Sequence, residues 1–307
     1  MYIKEVKHHK EMKLFTEFPN KLFKHVPAFV PAFSPDEHAV FDSTINPALA
    51  YCDAIRFLAY DDHHRVIGRI AGLINHKLNE AQDKKTARFT RLDMIDDLAV
   101  TKLLLDTIMT WAKEKGMDTL IGPMGFSDMD RMGLLVDGFE QLNLFITIWN
   151  APYYKDHLEK LGFVKDVDWV ERRIKWPTEM PEKVERIAGM VKQRFGYKLI
   201  KLQSKKEIDT YAYQAFDVYN RAFMELYGFY PLNKALMDYY IKQVKSIVQL
   251  KYLWFVADKE NAIVGFGLMM PSLALANKKS NGKLFPLGWL RLLKALKKPS
   301  VVDFYRD

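Results

Sequence analysis

Two stretches far apart in the chain share one pattern, and that pattern limits the folds open to it. FLAYDDHHRVIGRI at 57–70 and FVADKENAIVGFGL at 255–268 each place an alanine, then a polar turn, then an apolar pair ahead of a glycine. The turn reads as one residue shorter in the second stretch. Apolar runs on either side of an Asp-, His- or Asn-rich turn are β-hairpins, and a repeated supersecondary unit predicts a repeated domain. At 307 residues the chain also exceeds what one core usually fills, so two domains of about 150 residues each are expected.

The flanking segments supply the rest of the fold. YIKEVK is a strand candidate, helical stretches run through KHHKEMKLFTEFPNKLFKHV, and the Pro-rich VPAFVPAFSPDEHAVF breaks the helical pattern. The first hairpin covers 56–75 and a further strand 87–95. Leu104, Ile108, Trp111 and Ala112 have helical spacing within 98–116, with Gly116 as the stop. TLIGPM, FITIWN and WVERRIKW read as strands, with a helix between the last two. This order predicts an α/β fold, a mixed sheet with helices on its faces. KWPTEMPEK at 175–183 is charged, carries two prolines and lacks periodicity, which puts a boundary there, with one domain at 1–177 and a second at 178–307. The pattern then restarts with a strand at 197–202, helices at 208–226 and 233–248, and the second hairpin.

No apolar run approaches the roughly 20 residues of a membrane-spanning helix, and MYIKEVKHHKEMK lacks the apolar core of a secretory signal. A cytoplasmic protein is expected. The single Cys52 excludes an internal disulfide and a Cys-rich zinc site, and the adjacent pairs His8–His9 and His63–His64 diverge in strand or turn, so no metal is expected. No phosphate loop, HExxH or nucleophile elbow occurs. The lysines form no aromatic-interleaved platform for nucleic acid. The net charge of +8 favours anionic ligands, and much of it lies in Lys278, Lys279, Lys283, Arg291, Lys294, Lys297 and Lys298. The segment 288–298 within that stretch reads either as a core-facing helix with a solvated basic face or as a helix in contact with a membrane surface or lipid.

NAPYYKDHLEKLGF at 150–163 is an amphipathic helix. Tyr154, Leu158 and Leu161 lie on one face, Pro152 suits its first turn and Gly162 its left-handed stop. The element order, with a helix ending EKLGF and followed by a strand, resembles the GNAT (GCN5-related N-acetyltransferase) superfamily of acyl-CoA-dependent N-acyltransferases. IGPMGFSDMDRMGLLVDGF at 121–139, FSPDEHAVFDSTINP at 33–47 and GKLFPLGWLRLLKAL at 282–296 look like a bacterial group within it that carries two such domains in tandem. The resemblance implies two GNAT-like mixed-sheet domains, of which the second holds only its N-terminal half. It implies transfer of an acyl group from acetyl-CoA or a longer acyl-CoA to a small-molecule amine, in a chain that can form a homo-oligomer. The alternative is a non-catalytic GNAT-like binding or scaffold protein.

Acyl transfer of this kind needs an anion cradle for the CoA pyrophosphate, which the family builds from a Gly-rich turn at a helix N-terminus. Here that position reads MIDDLAV, where Asp96 and Asp97 would repel phosphate and instead suit a helix cap. The cofactor-binding residues are therefore left open. The chemistry also needs a proton route, because an ammonium cannot attack a thioester and a thiolate leaves poorly. The family's tyrosine position is Leu158 here, so Tyr154, one turn earlier, and His157 are the catalytic candidates, each weighed against core packing. For substrate binding the loop offers Ser127, Asp128, Asp130 and Asp137, with Asn150 at its end. The bland reading of the same loop is a set of Asx and Asp-Gly turns.

Overall fold

The computed structural model describes residues 1–144, 147–175 and 177–304. The expected mixed α/β architecture is present as two compact units, Met1–Asp166 with Ser272–Ser300, and Val167–Pro271 with the final strand. In the first unit a five-stranded sheet runs in sequence order, through β1 (Tyr2–Glu5), β2 (Cys52–Tyr60), β3 (Val66–Asn75), β4 (Thr86–Met94) and β5 (Thr119–Ile121). All neighbours are antiparallel except the parallel β4–β5 pair. Five helices accompany the sheet: α1 (His9–Leu22), α2 (Ser34–Val40), α3 (His76–Gln82), α4 (Leu98–Glu114) and α5 (Tyr153–Lys160).

Local chemistry explains where these elements begin. The Glu11 carboxylate accepts the backbone amides of Lys7 and His8 at 2.9 and 3.1 Å, satisfying donors at the start of α1 that the helix itself leaves open. The Pro-rich connection holds α2, because Pro35 sits in the first turn, where its missing N–H costs nothing. α4 lies against the sheet through Leu104 and Ile108, both fully buried with Ile70, Phe89 and Met94. Two glycines on β3 permit the close approach. A Cβ on Gly68 would come within 2.8 Å of Leu104 Cδ1, and one on Gly72 within 2.8 Å of the Trp111 ring.

The second unit contains α6 (Glu182–Phe195), β6 (Lys198–Lys201), α7 (Ile208–Ala222), α8 (Lys234–Ile247), β7 (Leu253–Ala257) and β8 (Ile263–Pro271). After the two helices α9 (Ala274–Lys279) and α10 (Gly288–Lys297), which belong to the first unit, β9 (Val302–Phe304) closes an antiparallel sheet of order β6-β7-β8-β9. Its core gathers Ile208, Ala212 and Ala215 of α7 and Ile241 of α8 against Leu253 and Phe255 of β7.

The hairpin repeat is closer in the structure than in the letters. Asp61 Oδ1 accepts the amide of Arg65 at 2.8 Å and Asp258 Oδ1 that of Ala262 at 2.9 Å, each four residues on. His64 and Asn261 take the same left-handed φ, 59° and 64°. The register shifts at Tyr60↔Val66 in one hairpin and at Ala257↔Ile263 in the other. The two turns are therefore equal in length, and Ala257 corresponds to Tyr60 rather than to Ala59. The expected shorter second turn is corrected by this register.

Three expected strands differ from what forms. TLIGPM is extended only to Ile121. Of FITIWN, residues 145 and 146 lie outside the described residues, and 147–150 form no strand. Side-chain amides hold the backbone there instead: Asn143 Nδ2 donates to the carbonyls of Leu144 and Thr147, at 2.8 and 3.3 Å. In WVERRIKW, Trp176 lies outside the described residues and 169–175 are exposed and non-strand, because Glu171, Arg172, Arg173 and Lys175 leave no face to bury.

Candidate functional site

The sheet of the first unit opens along one edge of β4. Parallel pairing with β5 covers only Thr86↔Thr119 to Arg88↔Ile121, and β5 ends at Gly122, whose φ of 153° turns the chain away. From there Met124 N–H still reaches the Phe89 carbonyl at 2.8 Å, but among the described residues no strand pairs with the last residues of β4 on that edge. Ile95 donates its amide to Ile67 on β3, so the amide and carbonyl of Met94 point to the opposite, open edge.

Two tyrosines from the first turn of α5 occupy that edge. Tyr154 Oη accepts the Met94 amide at 3.2 Å, and Tyr153 Oη donates to the Met94 carbonyl at 2.6 Å. Tyr154 is 1% exposed and also contacts Asp93 Oδ1 at 3.4 Å. Asp93 is itself held by Arg69, Nε to Oδ2 at 2.7 Å, and Arg69 Nη1 donates to the Phe15 carbonyl. Burial pushes the Tyr154 hydroxyl well above the ordinary phenol range, and the Asp93 carboxylate adds to that shift. Burial also raises the Asp93 carboxyl, against the pull of Arg69.

His157 lies one turn along α5. The sequence placed it off the apolar face, yet it is buried, because a polar slot at the start of α4 receives it. Its Nδ1 is 2.8 Å from Thr101 Oγ1 and its Nε2 is 3.3 Å from Asp96 Oδ1. Thr101 Oγ1 also reaches the Asp97 carbonyl at 3.3 Å. The Asp96 side chain is 69% exposed, so the carboxylate end of this carboxylate–imidazole–hydroxyl row faces solvent. Asp97 caps α4 through the Ala99 amide at 2.8 Å. The expected capping role thus falls to Asp97, while Asp96 turns to His157.

Earlier on β4 a buried ionic cluster that the sequence reading passed over forms around Arg91. Ala71↔Thr90 and Arg69↔Asp93 are successive pairs in the β3–β4 register, so β4 bulges between them, and Arg91 takes a left-handed φ of 51°. The bulge turns the Arg91 guanidinium onto two carboxylates: Asp130 at 3.0 and 2.9 Å and Glu37 of α2 at 3.3 and 3.2 Å. Burial alone would raise the Glu37 carboxyl, but Arg91, Arg131 and Arg69 outweigh it and hold it down at about 2. The signal for this cluster was in RFTRLDM, where Arg88, Arg91 and Asp93 interrupt a strand whose neighbours are core residues. Charges at such positions are paired or they are not tolerated.

The expected substrate-binding residues are drawn into the same loop. Besides Arg91, Asp130 accepts the amides of Phe126 and Arg131, at 3.3 and 2.8 Å. Ser127 Oγ accepts the Met129 amide at 3.2 Å, and Ser127 and Asp128 are both buried. Asp137 is exposed and closes an Asp-Gly turn onto the Gly138 amide. Asn150, 1% exposed, binds Leu135 like a neighbouring strand, accepting its amide at 2.7 Å and donating to its carbonyl at 3.1 Å. Tyr154 and His157 are brought together on α5 and Ser127, Asp128 and Asp130 on the loop, while Asp137 stands apart on the surface. Among the described residues no group of three or more His, Cys, Asp or Glu is placed to hold a metal ion, and no helix is long and apolar enough to cross a membrane.

No family model matches the chain. It is 26% identical over 300 residues to Protein YghO of Escherichia coli (strain K12), covering 94% of this chain and 72% of that protein. It is 25% identical over 291 residues to a bacterial ceramide synthase of Caulobacter vibrioides, covering 94% of this chain and 74% of that one. Among solved structures it is similar to a GCN5-related glucosamine N-acetyltransferase region of a fungal multi-domain β-N-acetylglucosaminidase, at 10% identity and a TM-score of 0.48 over 88% of this chain and 28% of that one. It is also similar to the glucosamine-6-phosphate N-acetyltransferase of Arabidopsis thaliana, at 11% identity and a TM-score of 0.35 over 57% of this chain and 100% of that one. The acyltransferase resemblance read from the sequence recurs in these comparisons.

Proposed function

We propose that this chain is an N-acyltransferase that moves an acyl group from acetyl-CoA or a longer acyl-CoA to a long-chain amine. The observation that carries the reading is the similarity, over nearly the whole chain, to a bacterial ceramide synthase. A ceramide is the amide of a fatty acid with a long-chain amino alcohol. The corresponding step here forms a C–N bond to the thioester carbonyl and breaks the C–S bond. The attacking ammonium loses two protons on its way to the amide: one reaches the departing thiolate and the other is released to solvent.

Of the two candidates for handling those protons, His157 is the better situated. Its Nδ1 lies against Thr101 and its Nε2 against Asp96, whose exposed carboxylate offers a proton route to solvent. Tyr154 has no such access, since its hydroxyl is spent on the Met94 amide and Asp93. Ser127, Asp128, Asp130 and Asp137 act in this reading by shaping the loop beside β4, and Asn150 by tying its two ends.

A second reading, a binding protein without turnover, is favoured by one specific feature. The Met94 amide and the start of α4, the two places where the resembled family would engage the cofactor, are satisfied by Tyr154 and Asp97. One experiment separates the two. The purified chain is incubated with palmitoyl-CoA and sphinganine, and the amide is sought by mass spectrometry together with released CoA thiol. Amide formation that falls about a hundredfold in His157→Gln supports the enzyme. No amide, and no heat on titration with acetyl-CoA or palmitoyl-CoA, leaves the binding reading.

A further inference from the structure

The positive charge of this chain is not spread over it. Residues 272–300 contain seven lysines and arginines and no aspartate or glutamate, against a net charge of +8 for all 307 residues. The same segment exposes a run of large apolar side chains. Phe285 is 74% exposed, Leu287 53%, Trp289 41%, Leu290 46% and Leu293 45%. Trp289, Leu293 and the half-buried Leu292 and Leu296 follow the spacing of one helical face, so α10 is amphipathic, with the Trp289–Leu293 side of that face turned outward and Leu290 exposed beside it. Arg291, Lys294 and Lys298 share another face, and Lys297 follows at the helix end.

The segment is also firmly seated. Lys278 Nζ donates to the carbonyls of Val26, Pro27 and Phe29, and Ser34 donates its amide to the Gly282 carbonyl at 3.0 Å. Asn277 Nδ2 bonds to the Pro31 carbonyl. One lysine is thereby used inside the first unit. Arg291 Nη1 bonds the Lys279 carbonyl and Trp289 Nε1 the Pro286 carbonyl at 3.1 Å, tying α10 to the turn that precedes it.

We infer that α10 with Phe285 and Leu287 is a docking surface for an anionic lipid bilayer, lying in the headgroup region with its apolar residues inserted. Glu17 of α1 pairs with Lys283 at 3.6 Å, but α10 itself carries no acid, and an apolar face flanked by Arg291, Lys294, Lys297 and Lys298 matches a surface that is negative outside and hydrocarbon beneath. The other exposed apolar helix face, Val184, Ile187 and Val191 on α6, is bordered by Glu182 and Glu185 as well as by Lys183 and Arg186, and lacks that match. The inference rests on this segment alone and holds whichever reading of the acyl-transfer site is correct.

The test is co-sedimentation of the full chain, with no acyl donor or amine present, with vesicles of phosphatidylcholine alone or with about a third phosphatidylglycerol. Wild type should pellet with the anionic vesicles and stay in solution with the neutral ones. Removing three cations in Lys294→Gln, Lys297→Gln and Lys298→Gln together should weaken binding on the order of a hundredfold, at about fivefold per lysine. Leu290→Ser with Leu293→Ser should weaken it at least tenfold. In Trp289→Phe the lipid-induced blue shift of tryptophan emission should disappear. The substituted side chains are exposed, and an unchanged melting temperature confirms the fold. Failure of wild type to pellet with anionic vesicles overturns the proposal. Equal binding by the charge variant, or a blue shift that survives Trp289→Phe, overturns it as well.

Discussion

Tyr154 offers the sharpest test, because its two readings move different observables. In Tyr154→Phe the ring remains packed beside Tyr153, Phe23 and Leu158, and only the hydroxyl is lost. The buried Met94 amide then has no acceptor at the open edge of β4. An unsatisfied buried donor costs about 1–3 kcal/mol, and bonds of 3.2 and 3.4 Å belong to the weaker part of that range, so about 1–2 kcal/mol is expected. Two assays measure it. Urea unfolding of the whole chain should shift to lower midpoint, and hydrogen exchange of a peptide spanning Met94 should speed up by about tenfold, the equivalent of 1.4 kcal/mol. Turnover, if assayed with palmitoyl-CoA and sphinganine, should change only a few-fold. Unchanged exchange at Met94 with unchanged unfolding, alongside a hundredfold loss of turnover, would refute the structural role and make the hydroxyl a proton donor.

The other predictions concern the charges and the packing around the same strand. Arg91→Met removes the guanidinium that bonds both Glu37 and Asp130, leaving Glu37 only the field of Arg131 and Arg69, and should cost about 3–5 kcal/mol in urea unfolding; a loss below about 1 kcal/mol would mean the loop is held by other contacts. Glu37 is depressed from 4.5 to about 2, so the stability it contributes, about 3 kcal/mol, is fully present above pH 4.5 and is lost as pH falls toward 2. Melting temperature followed by circular dichroism from pH 5 to 2 should fall less steeply in Glu37→Gln than in wild type. Gly72→Ala forces a Cβ into the Trp111 ring and should destabilise by about 1–3 kcal/mol, whereas a neutral result would show that α4 can shift away. Burial pushes the Cys52 thiol up to about 12, so it should resist a disulfide-exchange reagent at pH 8 in the native chain and react fully in urea.

The regular parts of the fold were legible because periodicity and turn chemistry act locally. The spacing of Leu104, Ile108 and Ala112 marked the buried face of α4, and Asp61 and Asp258 marked two turns that proved to be alike. What stayed hidden depended on partners distant in sequence. Arg91 meets Glu37 and Asp130 only because a bulge turns one residue of β4, and no local pattern announces a bulge at an arginine. His157 was off the leucine face by helical geometry, but Thr101 and Asp96 supply polar partners that make its burial affordable. FITIWN alternates like a strand, yet side-chain amides of Asn143 and Asn150 satisfy the backbone around it in another way.

Comparing the two sheets at matching positions suggests where their differences concentrate. β2 and β3 in one sheet correspond to β7 and β8 in the other by turn, by bulge and by register. After β3 the chain returns to the sheet as β4 through the short helix α3. After β8 it returns as β9 only beyond residues 272–300, the segment that packs on the first unit and carries nearly all of the net charge. Repeated units share their cores and diverge in their connections, because a longer connection costs little closure entropy while a changed core costs packing. The insertion is costly in one respect: among the described residues it leaves large apolar side chains exposed at the surface. Exposed apolar side chains that the core does not require are what the lipid-docking surface inferred above calls for.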